Sequence, residues 1–342
     1  MPSSVMPILP PIAARIEFHL PKEVVSIQGK LLGWKQGLTS RNVIAAYPGL
    51  KWSIPVESFA GRKLVLLVLR LMHRFYVSPE NWDPRAPVLR GSEAHHARHV
   101  LRMKAGERLV VFNGHGYELT AEIVNADSDE IRLRKLHEAE TPPLRCRIVL
   151  GQAIPKGKNM DLIVQKAVEI GAAEIAPIIS DRAVVHLDSE SVRQKQLKWQ
   201  QIAIEAAKQC GQNWLPRVCV PRKLADFFCD IEAGVSPAKF PETQPTRLPL
   251  QKEIAQFDLR LIGSLQPDAR NLKGILAAYS SERGDRPRSV LILVGPEGDF
   301  TPAELALARR HGCEPITLGP IILRVETAAI YCLSILSYEL LI

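Results

Sequence analysis

Along the first 71 residues the apolar positions hold neither a two-residue nor a 3.6-residue period, so this stretch predicts no regular element and reads as a poorly ordered extension. A regular pattern begins at Met72, so a mis-assigned upstream start is a further reading of residues 1–71. Residues 72–143 then alternate as strands do. His73–Val77, Arg108–Phe112, Glu118–Val124 and Glu130–His137 are punctuated by turns at Asn113-Gly114-His115-Gly116 and Asp127-Ser128-Asp129. One helical stretch, Ser92 to Arg102, interrupts them, with Ser92 as candidate N-cap and Gly106 beyond its end. Four short strands with one helix predict a small β-barrel, closed off by the stiff Pro142-Pro143 junction.

Residues 144–342 change rhythm, alternating strand with helix. Arg147–Ala153, Ala173–Ile179, Leu259–Gly263 and Ser289–Val294 are near-continuous apolar runs, as strands buried on both faces are. Helices are predicted over Lys158–Ile170 and Ser191–Cys210, each closed by a glycine. Thr301-Pro302-Ala303-Glu304 reads as a capping box opening a helix that stops at Gly312. Pro315–Leu318 is a last short strand, and Glu326–Leu341 a last helix with apolar residues on several sides, including Ala328, Leu333, Ile335 and Leu336. The predicted class is α/β with a mostly parallel sheet, preceded by the small barrel and, before it, the extension.

Composition narrows the function classes. With 342 residues, 46% hydrophobic and 23% charged, the chain has enough apolar material for two or three cored domains. The formal charge is +8, but +6 of it belongs to residues 1–71, so the patterned part carries little excess. Local charge is more informative. Arg90, Arg98, Arg102, Lys104 and Arg108 outnumber Glu93 and Glu107 around His95, His96 and His99, which suits a phosphate backbone and equally an ordinary charged helix face. Aromatics at 6% argue against a single-strand binder built on stacking platforms. The six cysteines form no C-x-x-C pair, which fits reduced thiols in a cytoplasmic protein. The longest apolar run, Leu64 to Leu69, is too short to span a bilayer, and no signal peptide is legible, so no membrane partner is expected.

Some attractive motifs fail on detail. Gly151 to Lys158 places five residues between its glycines and has Asn159 where a P-loop needs Ser or Thr. His95 and His99 share a helix face, yet no third ligand or intervening Glu accompanies them, so no metal is expected. Two loops are harder to dismiss. Val294-Gly295-Pro296-Glu297-Gly298-Asp299-Phe300 follows an apolar strand and precedes the capping box. Leu318-Gly319-Pro320-Ile321-Ile322-Leu323-Arg324-Val325-Glu326 follows the last strand. Each alone reads as a tight strand-to-helix turn. Together, they place glycine backbone where ligands of open α/β sheets bind, at the carboxyl ends of strands.

This pair of loops closely resembles those of the RsmE family, SPOUT-class methyltransferases that modify N3 of a uridine in 16S ribosomal RNA. The resemblance runs from Met72-His73-Arg74-Phe75 to the C-terminus. It includes the segment His95–Arg102, Lys156-Gly157, Gln165–Gly171 and Trp199–Gly211. It implies a PUA-like RNA-binding barrel over residues 72–143 and a SPOUT domain with a C-terminal trefoil knot over 144–342; pattern alone yields no knot. It implies an S-adenosylmethionine pocket at Leu265, Gly295, Pro296, Glu297 and Gly298, continued by Leu318, Gly319, Ile322 and Leu323. Arg324, Glu326 and Glu297 are its catalytic candidates, Arg324 to stabilise a developing uracil anion and the carboxylates to orient it or accept a proton. Both carboxylates also suit ordinary surface or helix-terminus positions. RNA contacts are assigned to Arg74, His96, Arg98, His99, Arg102 and Lys104, with Lys156 and Lys158.

The resemblance further implies a homodimer built on the last helix, and 16S rRNA or the small subunit as partner. Three departures stand out. Asp299 occupies a position where the family usually has a second glycine, Gln212 one that is often Arg, and Ile321 one that is often basic. The same fold acting on another RNA site, and a non-catalytic RNA-binding assembly protein, are the competing readings.

Overall fold

The computed structural model describes residues 42–47, 50–55, 72–126, 130–182, 189–232 and 257–342. The chain divides into two compact units, residues 1–73 and 74–342. In the first, strands β1 (Asn42–Tyr47) and β2 (Leu50–Pro55) pair antiparallel, Asn42 opposite Pro55 and Tyr47 opposite Leu50. This hairpin lies where no sustained period is legible. The rest of the extension expectation for residues 1–71 lies outside the described residues, as do the Asp127–Asp129 turn and most of the polar stretch at 230–250.

The second unit contains two sheets. The smaller runs in the order β3 (Arg74–Tyr76), β5 (Arg108–Phe112), β6 (Tyr117–Asn125), β7 (Ile131–Glu140), β4 (Val88–Leu89). Only the β3–β5 pair is parallel. Alternation sets its faces: Leu119, Ala121 and Ile123 of β6 point into a core with Phe75, Leu109 and Leu133. The helix between β4 and β5 departs from expectation. It opens at Gly91, not beyond a Ser92 cap, with Arg90 in the extended cap position and Gly91 itself at φ +55°, which glycine tolerates. This α1 (Gly91–His95) widens at once into a π-helical turn over His96–Val100, and Arg102 at φ +56° ends it.

The larger sheet has eight strands, every pairing parallel. Its order is β10 (Arg217–Val218), β9 (Glu174–Ile179), β8 (Arg147–Ala153), β14 (Ser289–Val294), β12 (Leu259–Gly263), β15 (Glu314–Thr317), β13 (Arg270–Asn271), with β11 (Arg222–Lys223) also on β9. Alternate residues feed two cores. Ile148 and Leu150 of β8, with Val290 and Ile292 of β14, face helices α2 (Asn159–Ile170), α3 (Ser189–Cys210), α5 (Leu272–Arg283) and α7 (Val325–Leu341). Val149, Ala153, Leu291 and Leu293 face α4 (Leu224–Glu232) and α6 (Pro302–Arg310). Continuous apolar runs are therefore what this sheet demands. At Gly151 a Cβ would lie 2.3 Å from Leu293 Cδ2, so any side chain there would displace that buried methyl group. The α6 capping box forms as read, with Thr301 and Glu304 bonding reciprocally.

A dense seam joins the two sheets. Gly116 donates its N–H to Asn213 O (3.0 Å), Leu215 donates to Gly114 O (2.9 Å), and Trp214 Nε1 donates to Thr141 O (2.8 Å). Lys208 of α3 reaches Glu93 of α1 at 3.1 Å, and burial raises the Glu93 carboxyl above its ordinary pKa despite that ion pair.

Candidate active site

Strand register aligns the carboxyl ends of four adjacent strands. Gln152 of β8 lies opposite Val294 of β14, Ile262 of β12 opposite Leu293, and Gly263 opposite Ile316 of β15. The segments leaving these strands therefore emerge along one edge: Lys156–Lys158, Gly295–Phe300, Ser264–Leu265 and Leu318–Arg324. The β12 exit, with Leu265, lies between the two glycine loops. Fold topology thus brings together the Leu265, Gly295–Gly298 and Leu318–Leu323 positions.

The first glycine loop is a tight turn. Asp299 donates its N–H to Pro296 O at 2.9 Å, and Asp299 itself takes φ +61°. This is the left-handed region, where glycine is unstrained and Asp is among the few tolerated side chains. The departure at 299 is thereby explained in backbone terms, and Asp299 Oδ1 accepts the Phe300 N–H at 2.7 Å. At Gly295 a Cβ would sit 3.1 Å from Asp299 Oδ1 and 3.2 Å from Phe300 N, so the turn folds back closely on that glycine.

Neighbouring loops clamp this turn. Glu297 accepts the Lys156 N–H at 3.0 Å, and Arg182, just beyond β9, donates to the Gly298 carbonyl. Glu304 is 6% exposed, and its carboxylate takes Asp181 N–H (3.0 Å), Ser180 Oγ (3.2 Å) and Thr301 N–H (2.8 Å). Neither Arg182 nor this second use of Glu304 was found by sequence reading. The signal available was the polar Ser180-Asp181-Arg182 run directly after an apolar strand.

In the second loop Gly319 has φ +115°, and a Cβ there would meet nothing within 4 Å, so backbone geometry is what demands glycine. Arg324 stands exposed at the N-cap position of α7. Glu326, in the first turn, accepts from Asn159 Nδ2 at 3.2 Å. Among the described residues no hydrogen bond or ion pair joins Arg324 to Glu326 or Glu297; both carboxylates are engaged by the Lys156–Asn159 turn instead. In this structure they tie the β8 exit to the two glycine loops.

The edge suits S-adenosylmethionine in chemistry. Leu265 and Ile322 are 64% and 78% exposed beside glycine backbone, offering apolar cover for a purine ring.

The residues assigned to RNA separate into two groups. His99, Arg102 and Lys104 are exposed at the end of α1, and Lys156 and Lys158 on the sheet edge. His96 is half-buried, edge-on to Phe75 with ring centres 6.0 Å apart, and Arg98 is half-buried as well. Arg74 is placed differently from the others. Its side chain is only 10% exposed, paired with Glu118 at 3.0 Å, bonded to Asn213 and set over the Phe112 ring, so its guanidinium fastens the seam.

The last helix is also more asymmetric than its composition suggests. Leu333 and Leu336 are at most 1% exposed and belong to the chain's own core. The opposite stripe, Thr327, Tyr331, Ser334 and Tyr338, is exposed, Tyr338 by 69%.

Comparisons with known proteins agree with this architecture. The family model of the RNA methyltransferase domain matches residues 142–337, and that of the RNA methyltransferase PUA domain residues 89–136. Ribosomal RNA small subunit methyltransferase E of Bacillus subtilis is 29% identical over 252 residues, 73% of this chain and 88% of its own. A Legionella pneumophila protein solved with the cofactor SAM is 31% identical with a TM-score of 0.62, covering 78% of this chain and 98% of its own. Ribosomal RNA small subunit methyltransferase E from Neisseria gonorrhoeae, bound to S-adenosylmethionine, is 28% identical with a TM-score of 0.60 over the same shares. The fold is accordingly that of an RNA methyltransferase domain with a PUA domain before it.

Proposed function

Since the chain belongs to the RNA methyltransferase family, whose model spans residues 142–337, we propose that it methylates N3 of a uridine in 16S rRNA of the small ribosomal subunit, using S-adenosylmethionine. The observation that carries this reading is the single edge on which both glycine loops flank Leu265. Bound there, the sulfonium group supplies an already electrophilic methyl. The protein's work is then positioning and charge control. Gly295, Pro296, Glu297 and Gly298 with Leu318, Gly319, Ile322 and Leu323 hold the donor from its two sides, and Leu265 covers it.

Arg324 is exposed and free of partners among the described residues, so its guanidinium is available to a uracil whose N3 proton is leaving. Glu326 and Glu297 remain the candidate acceptors for that proton. Lys156 and Lys158 lie on the same edge for RNA phosphates, and His99, Arg102 and Lys104 present a second basic patch on the PUA-like domain. The domain assignment, 72–143 for RNA and 144–342 for catalysis, follows from the same division of labour. The exposed Tyr331 and Tyr338 stripe on α7 is the face through which a homodimer forms, and the cytoplasm is the compartment where rRNA is met.

The test is methyl transfer to 16S rRNA, free and within small subunits, by the purified protein, with N3-methyluridine read by mass spectrometry and donor binding by calorimetry. Donor binding with methylation at one uridine is expected. Methylation of a different RNA would leave the chemistry and replace the target, whereas no donor binding at all would sink the enzyme reading.

A further inference from the structure

The segment after β9 touches the proposed donor loop, and nothing in the family resemblance as read from the sequence assigned it a role. Three observations converge there. First, Arg182 is exposed, yet its guanidinium donates to the Gly298 carbonyl, 116 residues away in sequence. Second, its backbone is fixed: Arg182 N–H donates to Ser180 Oγ at 3.3 Å, and Ser180 and Asp181 are both bonded to the buried Glu304 carboxylate. The arm that carries the guanidinium is therefore anchored to the same carboxylate that caps α6, immediately after the loop. Third, the turn it reaches contains the left-handed Asp299 at φ +61° in place of an unstrained glycine. A non-glycine residue in that region is strained and persists only when its surroundings hold it.

We infer that Arg182 is a positioning residue for the methyl donor: acting through the Gly298 carbonyl, it holds the Pro296–Asp299 turn in the shape that receives S-adenosylmethionine. This rests on the functional reading above. The turn is thus gripped from two sides, by the Lys156 N–H on Glu297 toward β8 and by Arg182 on Gly298 toward β9. With Arg182 removed, the turn loses its grip on the β9 side, and Asp299 can relax toward commoner backbone angles. The donor then has to pay for reordering the turn, which appears in its affinity while the chemical step, once the donor is bound, keeps its geometry.

The experiment uses the full chain with 16S rRNA as acceptor and compares Arg182→Ala, Arg182→Lys, Asp299→Gly and the Arg182→Ala/Asp299→Gly double variant. The KM and calorimetric Kd for S-adenosylmethionine in Arg182→Ala are expected to rise about tenfold, the loss of one charge-assisted hydrogen bond. At saturating donor kcat stays within about twofold. Lysine, which can still donate to one carbonyl, should recover most of the affinity. In the Asp299→Gly background the Arg182→Ala effect should shrink to about threefold or less, because glycine removes the strain that Arg182 offsets. An unchanged KM in Arg182→Ala, a fall in kcat without a change in KM, or equal losses with and without Asp299→Gly would each overturn the assignment. A wild-type protein that binds no donor would instead refute the functional reading, which keeps the two failures apart.

Discussion

Gly116 offers the sharpest test of how the PUA-like sheet is fastened to the parallel one. Its φ is +90°, and a Cβ there would lie 2.7 Å from Thr141 O and 2.9 Å from Trp214 Cε2 and Cζ2. Its N–H and C=O are both used, toward Asn213 O at 3.0 Å and from Thr141 N at 2.8 Å. Gly116→Ala therefore adds two costs. The left-handed backbone accounts for about 1–2 kcal/mol, and the overlap, with backbone and an indole on opposite flanks, for about 1–3 kcal/mol more. Gly106 isolates the first cost, since its φ is +87° and a Cβ there meets nothing within 4 Å. Urea unfolding of Gly106→Ala should show a loss of about 1–2 kcal/mol, and of Gly116→Ala about 2–5 kcal/mol, the difference being the packing term. Donor binding by Gly116→Ala should survive at temperatures where the fold persists, because the donor edge lies on the other sheet, while rRNA methylation falls. Equal destabilisation by the two substitutions would mean that the seam does not close over Gly116, and the reasoning would fail.

Arg324→Ala should leave donor affinity within about twofold while kcat falls about a hundredfold, as when one group stabilising a transition-state anion is removed; equal loss of both would give Arg324 a donor-binding role. Thiol reactivity should be selective. Burial pushes the Cys146, Cys313 and Cys332 thiols up to about 12, and Cys219 well above its ordinary value, whereas Cys229 is exposed. A chromogenic disulfide reagent should label Cys229 quickly in the native protein and those four only on unfolding; fast native labelling of Cys219 would contradict its burial. Glu93 gives a pH signature. Its folded pKa is raised above 4.5 by burial, so its favourable contribution is complete below about pH 4.5 and is lost as pH climbs through the raised value. Relative to Glu93→Gln, the wild type should therefore lose stability by chemical denaturation as pH rises above about 4.5; a gap that widens in the wild type's favour would reverse the sign assigned to burial.

Most elements of the parallel sheet were legible because their physics is local. Arg147–Ala153, Leu259–Gly263 and Ser289–Val294 are apolar at almost every position, and the Thr301–Glu304 box closes between residues three apart at the helix start. The helices α4 and α5 were not legible. Phe227 and Phe228 sit beside a polar stretch that masks a nine-residue helix, and Gly274 and paired serines dilute the period of α5. The site was half legible for the same reason. Glycines at strand ends mark where backbone must approach something, so Gly295, Gly298 and Gly319 could be named from order alone.

Which strands stand side by side is set by long-range pairing, and that decided everything else. Only the order β8-β14-β12-β15 brings Leu265 between the two glycine loops and carries Lys156 onto Glu297. Arg182 is 116 residues from the carbonyl it holds. Charge alone could not separate Arg74 from Arg324. The first is buried against Glu118 and Asn213, the second open to solvent, and the difference lies in what the fold packs around each guanidinium. Sequence determined the elements, the loops where backbone must come close, and the family these imply. Tertiary structure decided which charged groups are spent on holding the protein together and which remain for the substrate, because burial is a property of neighbours that no local pattern records.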